Sequence, residues 1–290
     1  MPQIMHLTSP AKLNLHLHIL GQENSGYHLL DSLVVFTNFG DTLTLESSAK
    51  FELEIRGTFA KKLQKHTPST ENLIEKSVMI FSALTNTKPN YKITLEKNIP
   101  LGAGLGGGSS NAATTLKALQ QFYQTQIDLS QITSKLGSDI TAFLNVPTPI
   151  IIRETGNEII IPHFNIPTCY ILMVNAGQHC STPEIYKNLE MKEFSSATEF
   201  PHQFKTTKEF TDFLNKETRN DLTDPALKLK PNISRTLEAI ASQKSCLLAR
   251  MTGSGATCFG IFETITHAQT AAQEIKTTHP EWWVVQSTTL

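Results

Sequence analysis

Eleven consecutive positions, Pro100, Leu101, Gly102, Ala103, Gly104, Leu105, Gly106, Gly107, Gly108, Ser109 and Ser110, carry the strongest chemical signal in the chain. Five glycines fall within seven residues, and an alanine-rich helical pattern, Asn111 to Thr115, follows. Glycine lets backbone approach a ligand closely and take up positive φ. The first turn of a helix presents unbonded N–H groups and the positive end of its dipole. Together they describe an anion trap, and a phosphate is the anion such traps most often hold. Gly102, Gly104 and Gly107 also satisfy GxGxxG. The dinucleotide fingerprint, however, has its strand running straight into the first glycine and an acid some 20 residues on, after a second strand. Here Asn98 to Leu101 intervene, and Asp128 precedes a helical pattern. No lysine follows the last glycine, so the stretch is not a Walker loop either. A flexible linker is the bland alternative, but the stretch is wedged between a strand pattern and a helix pattern.

Other residues could join that chemistry. Lys12 and Asn14 alternate with Leu13, Leu15, Leu17 and Ile19, so they share the non-core face of a strand with His16 and His18. An edge lysine in solvent is the plain reading of Lys12. The two histidines lack a third metal ligand in sequence reach and read as partly buried, hydrogen-bonded imidazoles. Asp139 follows Gly137-Ser138 at the start of a helical pattern, with Ser138 as its expected cap. It is a helix-start carboxylate or a general base, and position alone does not choose between them. Tyr27-His28, after the loop Gly21 to Gly26, is plain packing or a surface on which a flat base stacks. Gly253-Ser254-Gly255 is a tight turn that could bring backbone close to the first glycine loop.

The elements that must position these groups are legible from periodicity. Strands are expected over Lys12 to Ile19, Leu33 to Phe36, Thr42 to Leu45, Phe51 to Ile55 and Tyr91 to Leu95. Helices are expected over Thr70 to Leu84, capped by Ser69 or Thr70, from Ala112 to Tyr123, and from Leu129 to Leu136, closed by Gly137. A hairpin is expected over Ile150 to Ile161, turning at Gly156-Asn157. The proline-containing connection Pro162 to Pro167 is the expected boundary between an N-terminal domain, 1–162, and a C-terminal domain, 163–290. In the second half, strands over Cys169 to Val174, Cys246 to Met251, Cys258 to Phe262 and Trp282 to Gln286 alternate with helices, which predicts a small α+β sandwich.

Bulk properties narrow the function classes. A length of 290 residues suits about two domains. Lys and Arg number 25 against 26 Asp and Glu, so nothing favours nucleic acid as a partner. No apolar run approaches a membrane span, and the first residues lack a signal-peptide pattern. Four cysteines without a CxxC pair fit reduced thiols, and a cytoplasmic location is expected.

The motifs PAKLNLHLHILG, SGYHLLDSL, PLGAGLGGGSSNAAT, LGSDI, RNDL and MTGSGATCFG occur in one order. The series resembles the GHMP kinases, the superfamily of galactokinase, homoserine kinase and mevalonate kinase. Within it, PAKLN, GYH and LGGGSSNAA are most similar to the branch acting on 4-diphosphocytidyl-2-C-methyl-D-erythritol in non-mevalonate isoprenoid synthesis. The resemblance runs from Pro10 to about Gly260. It implies an α+β, two-domain GHMP kinase fold: an N-terminal domain like ribosomal protein S5 domain 2 and a ferredoxin-like C-terminal domain, with ATP and substrate between them. It implies ATP as phosphate donor with Mg²⁺, a small cytidine-diphosphate substrate, and transfer to its 2-hydroxyl. By the same resemblance Lys12 and Asp139 are catalytic, Asn72 and Leu73 contact adenine, and the Pro100 to Ser110 loop holds the phosphates. Asn14, Tyr27, His28, Thr182 and Tyr186 fall at substrate positions. Where the family's aspartate motif commonly continues Val-Pro, this chain has Ile140-Thr141, and Ala103 replaces a frequent glycine. No acidic Mg²⁺ ligand is evident; Ser109 or Ser110 is the nearest candidate. The rival readings are another kinase of the superfamily, of homoserine or mevalonate type, and a catalytically silent nucleotide sensor.

Overall fold

The computed structural model describes residues 4–68, 71–190 and 193–290, with backbone alone at 134 and 138. The chain forms two compact units that interleave in sequence. One gathers the chain up to Ala11, then Phe39–Leu101 and Gly106–Val146; the other gathers Lys12–Asn38, Gly102–Leu105 and Pro147–Leu290.

Strands β1 (Ile4–Asn14) and β2 (His18–Gln22) both pair with β3 (His28–Ser47). β3 is 20 residues long and joins the two expected strands around residues 33–36 and 42–45 into one. The apparent break between them, Thr37 to Gly40, contains no proline. Gly40 is there because a Cβ would sit 2.1 Å from the Ser9 carbonyl oxygen, so the glycine marks close backbone approach, not a turn. In the first unit the C-terminal half of β3 pairs antiparallel with β5 (Tyr91–Glu96), and β5 pairs in parallel with β4 (Glu52–Arg56). Leu43, Leu45, Ile93 and Leu95 face Ile74, Val78 and Phe81 of α2 (Leu73–Thr85) and Leu116 and Leu119 of α3 (Gly107–Phe122) in one core. That unit also holds helices at Ala60–His66, Ser130–Leu136 and Ser138–Phe143, the first of them not expected from the sequence.

In the second unit β3 pairs with β6 (Ile150–Glu154), which turns through Gly156 into β7 (Glu158–Ile160), as the hairpin signal predicts. The remaining elements run β8 (Tyr170–Asn175), a helical stretch ending in Asn232–Ala241, β9 (Cys246–Met251), β10 (Cys258–Phe262), a helix at Ile265–Thr278, and β11 (Trp283–Thr288). The antiparallel sheet order is β11-β8-β10-β9, so the four strands lie in spatial order 4-1-3-2, the ferredoxin-like arrangement. A helix at Thr223–Leu229, which follows the RNDL motif, was not expected.

The polar face of the Lys12 to Ile19 segment is not in solvent. Lys12, Asn14, His16 and His18 are all buried. His16 and His18 are two of three groups, with Asp31 of β3, whose ligating atoms lie within 4.8 Å of one another. Asp31 is therefore the third group that local sequence could not supply. Their hydrogen bonds fix both neutral tautomers. The Leu33 amide donates to His16 Nδ1 (3.3 Å), leaving Nε2–H to donate to Asp31 Oδ2 (3.0 Å). The Arg219 amide donates to His18 Nε2 (3.1 Å), and His18 Nδ1–H donates to the Ser196 carbonyl (3.0 Å). With every ring nitrogen engaged, the trio is a hydrogen-bonded hub. Asp31 also accepts from the Thr198 amide (2.8 Å) and from Arg153 Nε (3.0 Å).

Burial pushes the His16 imidazole below its ordinary 6.5, although the bond to Asp31 works the other way. Burial alone would raise the Asp31 carboxyl, but His16, the Thr198 amide and Arg153 outweigh it and hold the group well below its ordinary 3.8. Both shifts act in one direction. Below pH 6.5 the unfolded chain binds a proton at His16 that the fold resists, and below pH 3.8 the same holds at Asp31. Stability therefore falls with pH in two stages. The urea midpoint of the wild-type chain should drop between pH 6.5 and 5, and His16→Gln should flatten that limb; an unchanged slope in the variant would place the proton uptake elsewhere.

Candidate active site

The loop that leads into α3 has an unusual division of hydrogen-bonding groups. Asn98 and Ile99 donate their amides to Asp41 Oδ1 at 2.7 and 2.8 Å, and the Ser110 amide closes the first helical turn on Gly106 O. Between them, among the described residues, no backbone N–H from Leu101 to Ser109 donates to protein. Two loop carbonyls are engaged: Ala103 O accepts from the Thr257 amide (3.3 Å) and Leu105 O from the Lys12 amide (3.0 Å). The loop is thus held by its acceptors while its donors stay free for an anion. Gly104 makes this possible. Its φ is +77°, and a Cβ there would lie 2.6 Å from Thr252 O and 2.9 Å from Gly255 O. The Gly253–Gly255 turn does bring backbone against the glycine loop, at that residue. Gly106, also at positive φ, is the N-cap of α3 and gives it no side-chain cap.

Asp41 and Lys97 anchor the approach to the loop. They form a buried ion pair, and neither appeared among the sequence candidates. Burial lowers the Lys97 ammonium from its ordinary range, with Asp41 opposing the shift. The Lys97 Nζ reaches the loop side: a Cβ on Gly107 would sit 2.9 Å from it. Ser110 is buried and its hydroxyl accepts from Ser9 Oγ (2.9 Å), which also reaches Asn111 Oδ1 (2.7 Å). The Asn72 side chain caps α2 by accepting from the Ile74 amide (2.9 Å), and Leu73 is the first residue of that helix. The caps expected from sequence, Ser69 and Thr70, lie outside the described residues. Leu73 Cδ1 is 3.6 Å from the Cβ position of Gly108, so the α2 start and the α3 start lie side by side.

In the second unit Lys12 Nζ donates to Asn14 Oδ1 (3.0 Å) and, among the described residues, meets no carboxylate. A solvated edge lysine is excluded by its burial. Asn14 is fixed on three sides. Its Nδ2 donates to Ser32 Oγ (2.8 Å), its amide donates to Thr252 Oγ1 (2.9 Å), and Ser32 Oγ donates onward to the His16 carbonyl (2.6 Å). Asn220 of the RNDL motif donates to the carbonyls of Met251 and Gly253, both at 2.8 Å, and so sets the turn that touches Asn14. Ser32 gave no local signal, because its side-chain partners lie 16 and 18 residues away, and Asn220 and Thr252, though within quoted motifs, show their roles only through bonds to chain 31 residues away or more.

Asp139 lies exposed in the first turn of the short helix Ser138–Phe143. That helix begins at Ser138, one residue earlier than expected, with Gly137 (φ 140°) at both the end of the preceding helix and the start of this one. Thr141 donates its hydroxyl to Thr133 Oγ1 (2.8 Å), which tethers this short helix to the preceding one.

The aromatic candidates are brought together in part. His28 and Tyr186 pack with ring centroids 5.1 Å apart at 34°. Tyr27 stands 68% exposed, which a residue serving only the core would not. Thr182 Oγ1 pairs with Ser254 Oγ at 2.7 Å, tying the helix Thr182–Lys187 to the second glycine turn.

Asp41→Asn should leave Lys97 as a buried charge without its counterion and loosen the two amides before the loop. Breaking such a pair costs about 3–5 kcal/mol. A urea midpoint equal to wild type would show that the pair does not hold the loop approach.

Residues 72–148 match the family model described as the GHMP kinases N terminal domain, and residues 202–281 match the GHMP kinases C terminal model. A protein of Dinoroseobacter shibae named 4-diphosphocytidyl-2-C-methyl-D-erythritol kinase is 40% identical over 277 residues, 95% of this chain and 92% of that protein. Its namesake in Paramagnetospirillum magneticum is 35% identical over 281 residues, 96% of each chain. A crystal structure of 4-(cytidine 5'-diphospho)-2C-methyl-D-erythritol kinase superposes with a TM-score of 0.81 at 26% identity, covering 98% of this chain and 99% of that one. Homoserine kinase from Cytophaga hutchinsonii shares the fold, with a TM-score of 0.68 at 15% identity. The chain belongs to the GHMP kinases and, within them, to the 4-diphosphocytidyl-2-C-methyl-D-erythritol kinase family.

Proposed function

We propose that the protein transfers the γ-phosphoryl group of ATP to the 2-hydroxyl of 4-diphosphocytidyl-2-C-methyl-D-erythritol, a step of non-mevalonate isoprenoid precursor synthesis. The observation that carries the reading is the loop whose amides from Leu101 to Ser109 are left undonated beside a helix start without a side-chain cap. Such a loop binds a polyanion without neutralising it, which suits a phosphate chain that must pass a group on.

Asn72 and Leu73 face the adenine, and Pro100 to Ser110 hold the phosphates. Asp139 accepts the proton of the 2-hydroxyl as that oxygen attacks the γ-phosphorus. One O–H bond and the bond from the β-bridging oxygen to the γ-phosphorus break, one O–P bond forms, and ADP leaves with the electron pair. The Lys12 ammonium, aimed by Asn14, stabilises the incoming alkoxide and the charge on the transferred group. Tyr27 and Tyr186 stack on the cytosine, with His28 packed against Tyr186 to fix its ring plane. Mg²⁺ would be held chiefly by phosphates and water. Ser109 is the side chain free to reach it, since the Ser110 hydroxyl is tied to Ser9, and the ion would neutralise phosphate charge.

A panel measuring ADP release with the cytidine substrate, mevalonate and homoserine tests the acceptor. Release is expected with the first alone, and release with neither it nor the others would favour a nucleotide sensor. Asp139→Ala should abolish turnover while ATP binding stays near wild type; normal turnover in that variant would remove Asp139 from the mechanism. Tyr27→Ala should retain ATP binding and lose most cytidine affinity, about 1 kcal/mol or more for a lost stacking face.

A further inference from the structure

His179 lies in the link between β8 and the helix Thr182–Lys187, outside every motif considered so far. Its ring sits directly on the phosphate loop. A Cβ built on Gly102 would be 2.0 Å from His179 Cδ2 and 2.1 Å from Nε2, so the edge of the imidazole fills the space that any other residue at 102 would need. Gly102 has φ +59°, and its amide is among those that donate to no protein acceptor. The His179 side chain is exposed and makes no hydrogen bond among the described residues.

The segment that carries it is pinned on both sides. Cys180 is buried, with its sulfur 3.5 Å from the Cβ position of Gly255, and Thr182 is bonded to Ser254. The backbone that carries His179 is therefore held beside Gly102 by its neighbours on the C-terminal side, and the ring at its end is in reach of the loop. A neutral imidazole always has one N–H to donate, and an oxygen taken up by the amides around Gly102 would come within reach of the His179 ring. Four residues further on from Thr182 is Tyr186, so one short segment presents both a phosphate-facing ring and a base-facing ring.

We infer that His179 is a phosphate-binding residue that completes the cradle at Gly102 by donating to a phosphoanhydride oxygen. The ligand class is a nucleoside di- or triphosphate: the phosphate chain of ATP or the diphosphate of the cytidine substrate. The inference rests on the kinase reading above and adds a specific contact to it.

The rival role is packing, with the ring merely filling space over Gly102. His179→Phe keeps a flat ring there and removes both nitrogens, whereas His179→Ala removes everything. Affinities for ATP and for CDP are read by calorimetry on wild type and both variants, and KM and kcat are read where turnover occurs. Loss of one hydrogen bond to a charged oxygen weakens binding roughly tenfold or more. That loss is expected in both variants, with kcat little changed because ground-state and transition-state binding suffer alike. A loss confined to ATP identifies the triphosphate as the partner, and one confined to CDP identifies the acceptor's diphosphate. Wild-type affinity for both nucleotides in His179→Ala, or its recovery in His179→Phe, overturns the inference. The binding measurements need no turnover, so a wrong acceptor would show in the substrate panel and leave this comparison intact.

Discussion

A loop that must offer its N–H groups to a ligand cannot use them to hold itself. This constraint organises the surroundings of the glycine stretch. Backbone without internal hydrogen bonds is floppy unless something else restrains it, and here the restraint comes from the opposite polarity. Ala103 O and Leu105 O accept from Thr257 and Lys12, and Asp41 takes the two amides just before the loop. Close packing at Gly104, against the carbonyls of Thr252 and Gly255, does the rest. The residue whose amide anchors Leu105 is also the one whose ammonium is assigned to the reaction. Position of the loop and position of Lys12 are thus one structural fact.

The buried polar side chains from Lys12 to His18 follow the same logic of complete accounting. β1 ends at Asn14 and β2 begins at His18, and Lys12, Asn14, His16 and His18 can be buried only if each polar atom finds a partner. Asp31, Ser32, Thr198 and Arg219 supply most of them, and the result is a rigid platform beneath Asn14. Arg250 extends it, donating to four oxygens, those of Leu15, Thr218 (carbonyl and hydroxyl) and Leu214. Such a network is costly to disturb but fixes side-chain directions in a way an apolar face would not.

Much of this was legible in the sequence because it is local. The glycine loop and the helix after it, the Gly137 break before Asp139, and the hairpin at Gly156 all depend on residues within a few positions of one another. The parts that escaped are those whose meaning comes from distant chain. Gly40 lies between two stretches expected as separate strands, and its role shows only with the Ser9 backbone against it. The hydrogen-bonded reading of His16 was available, but its partners were not, because Asp31 and Thr198 are 15 and 182 residues away. Asp41 and Lys97 were not singled out, since nothing in either local stretch announces a pair 56 residues apart. The helices at Ala60–His66 and Thr223–Leu229 show little apolar stripe: Leu63 is the one large apolar residue of the first, and Pro225 sits inside the second.

The interleaving of the two units bears on how the chain is born. The first unit has all its segments once Val146 has emerged, but the second holds residues 12–38 and cannot finish until the chain beyond Pro147 is made. During synthesis, a stretch with buried-type leucines and unpaired strand edges must wait for partners more than a hundred residues downstream. Contacts of that sequence separation form slowly. The nascent protein therefore passes through an interval in which the strand carrying Lys12 and Asn14 has β3 to pair with but still lacks Thr252, which later takes the Asn14 amide.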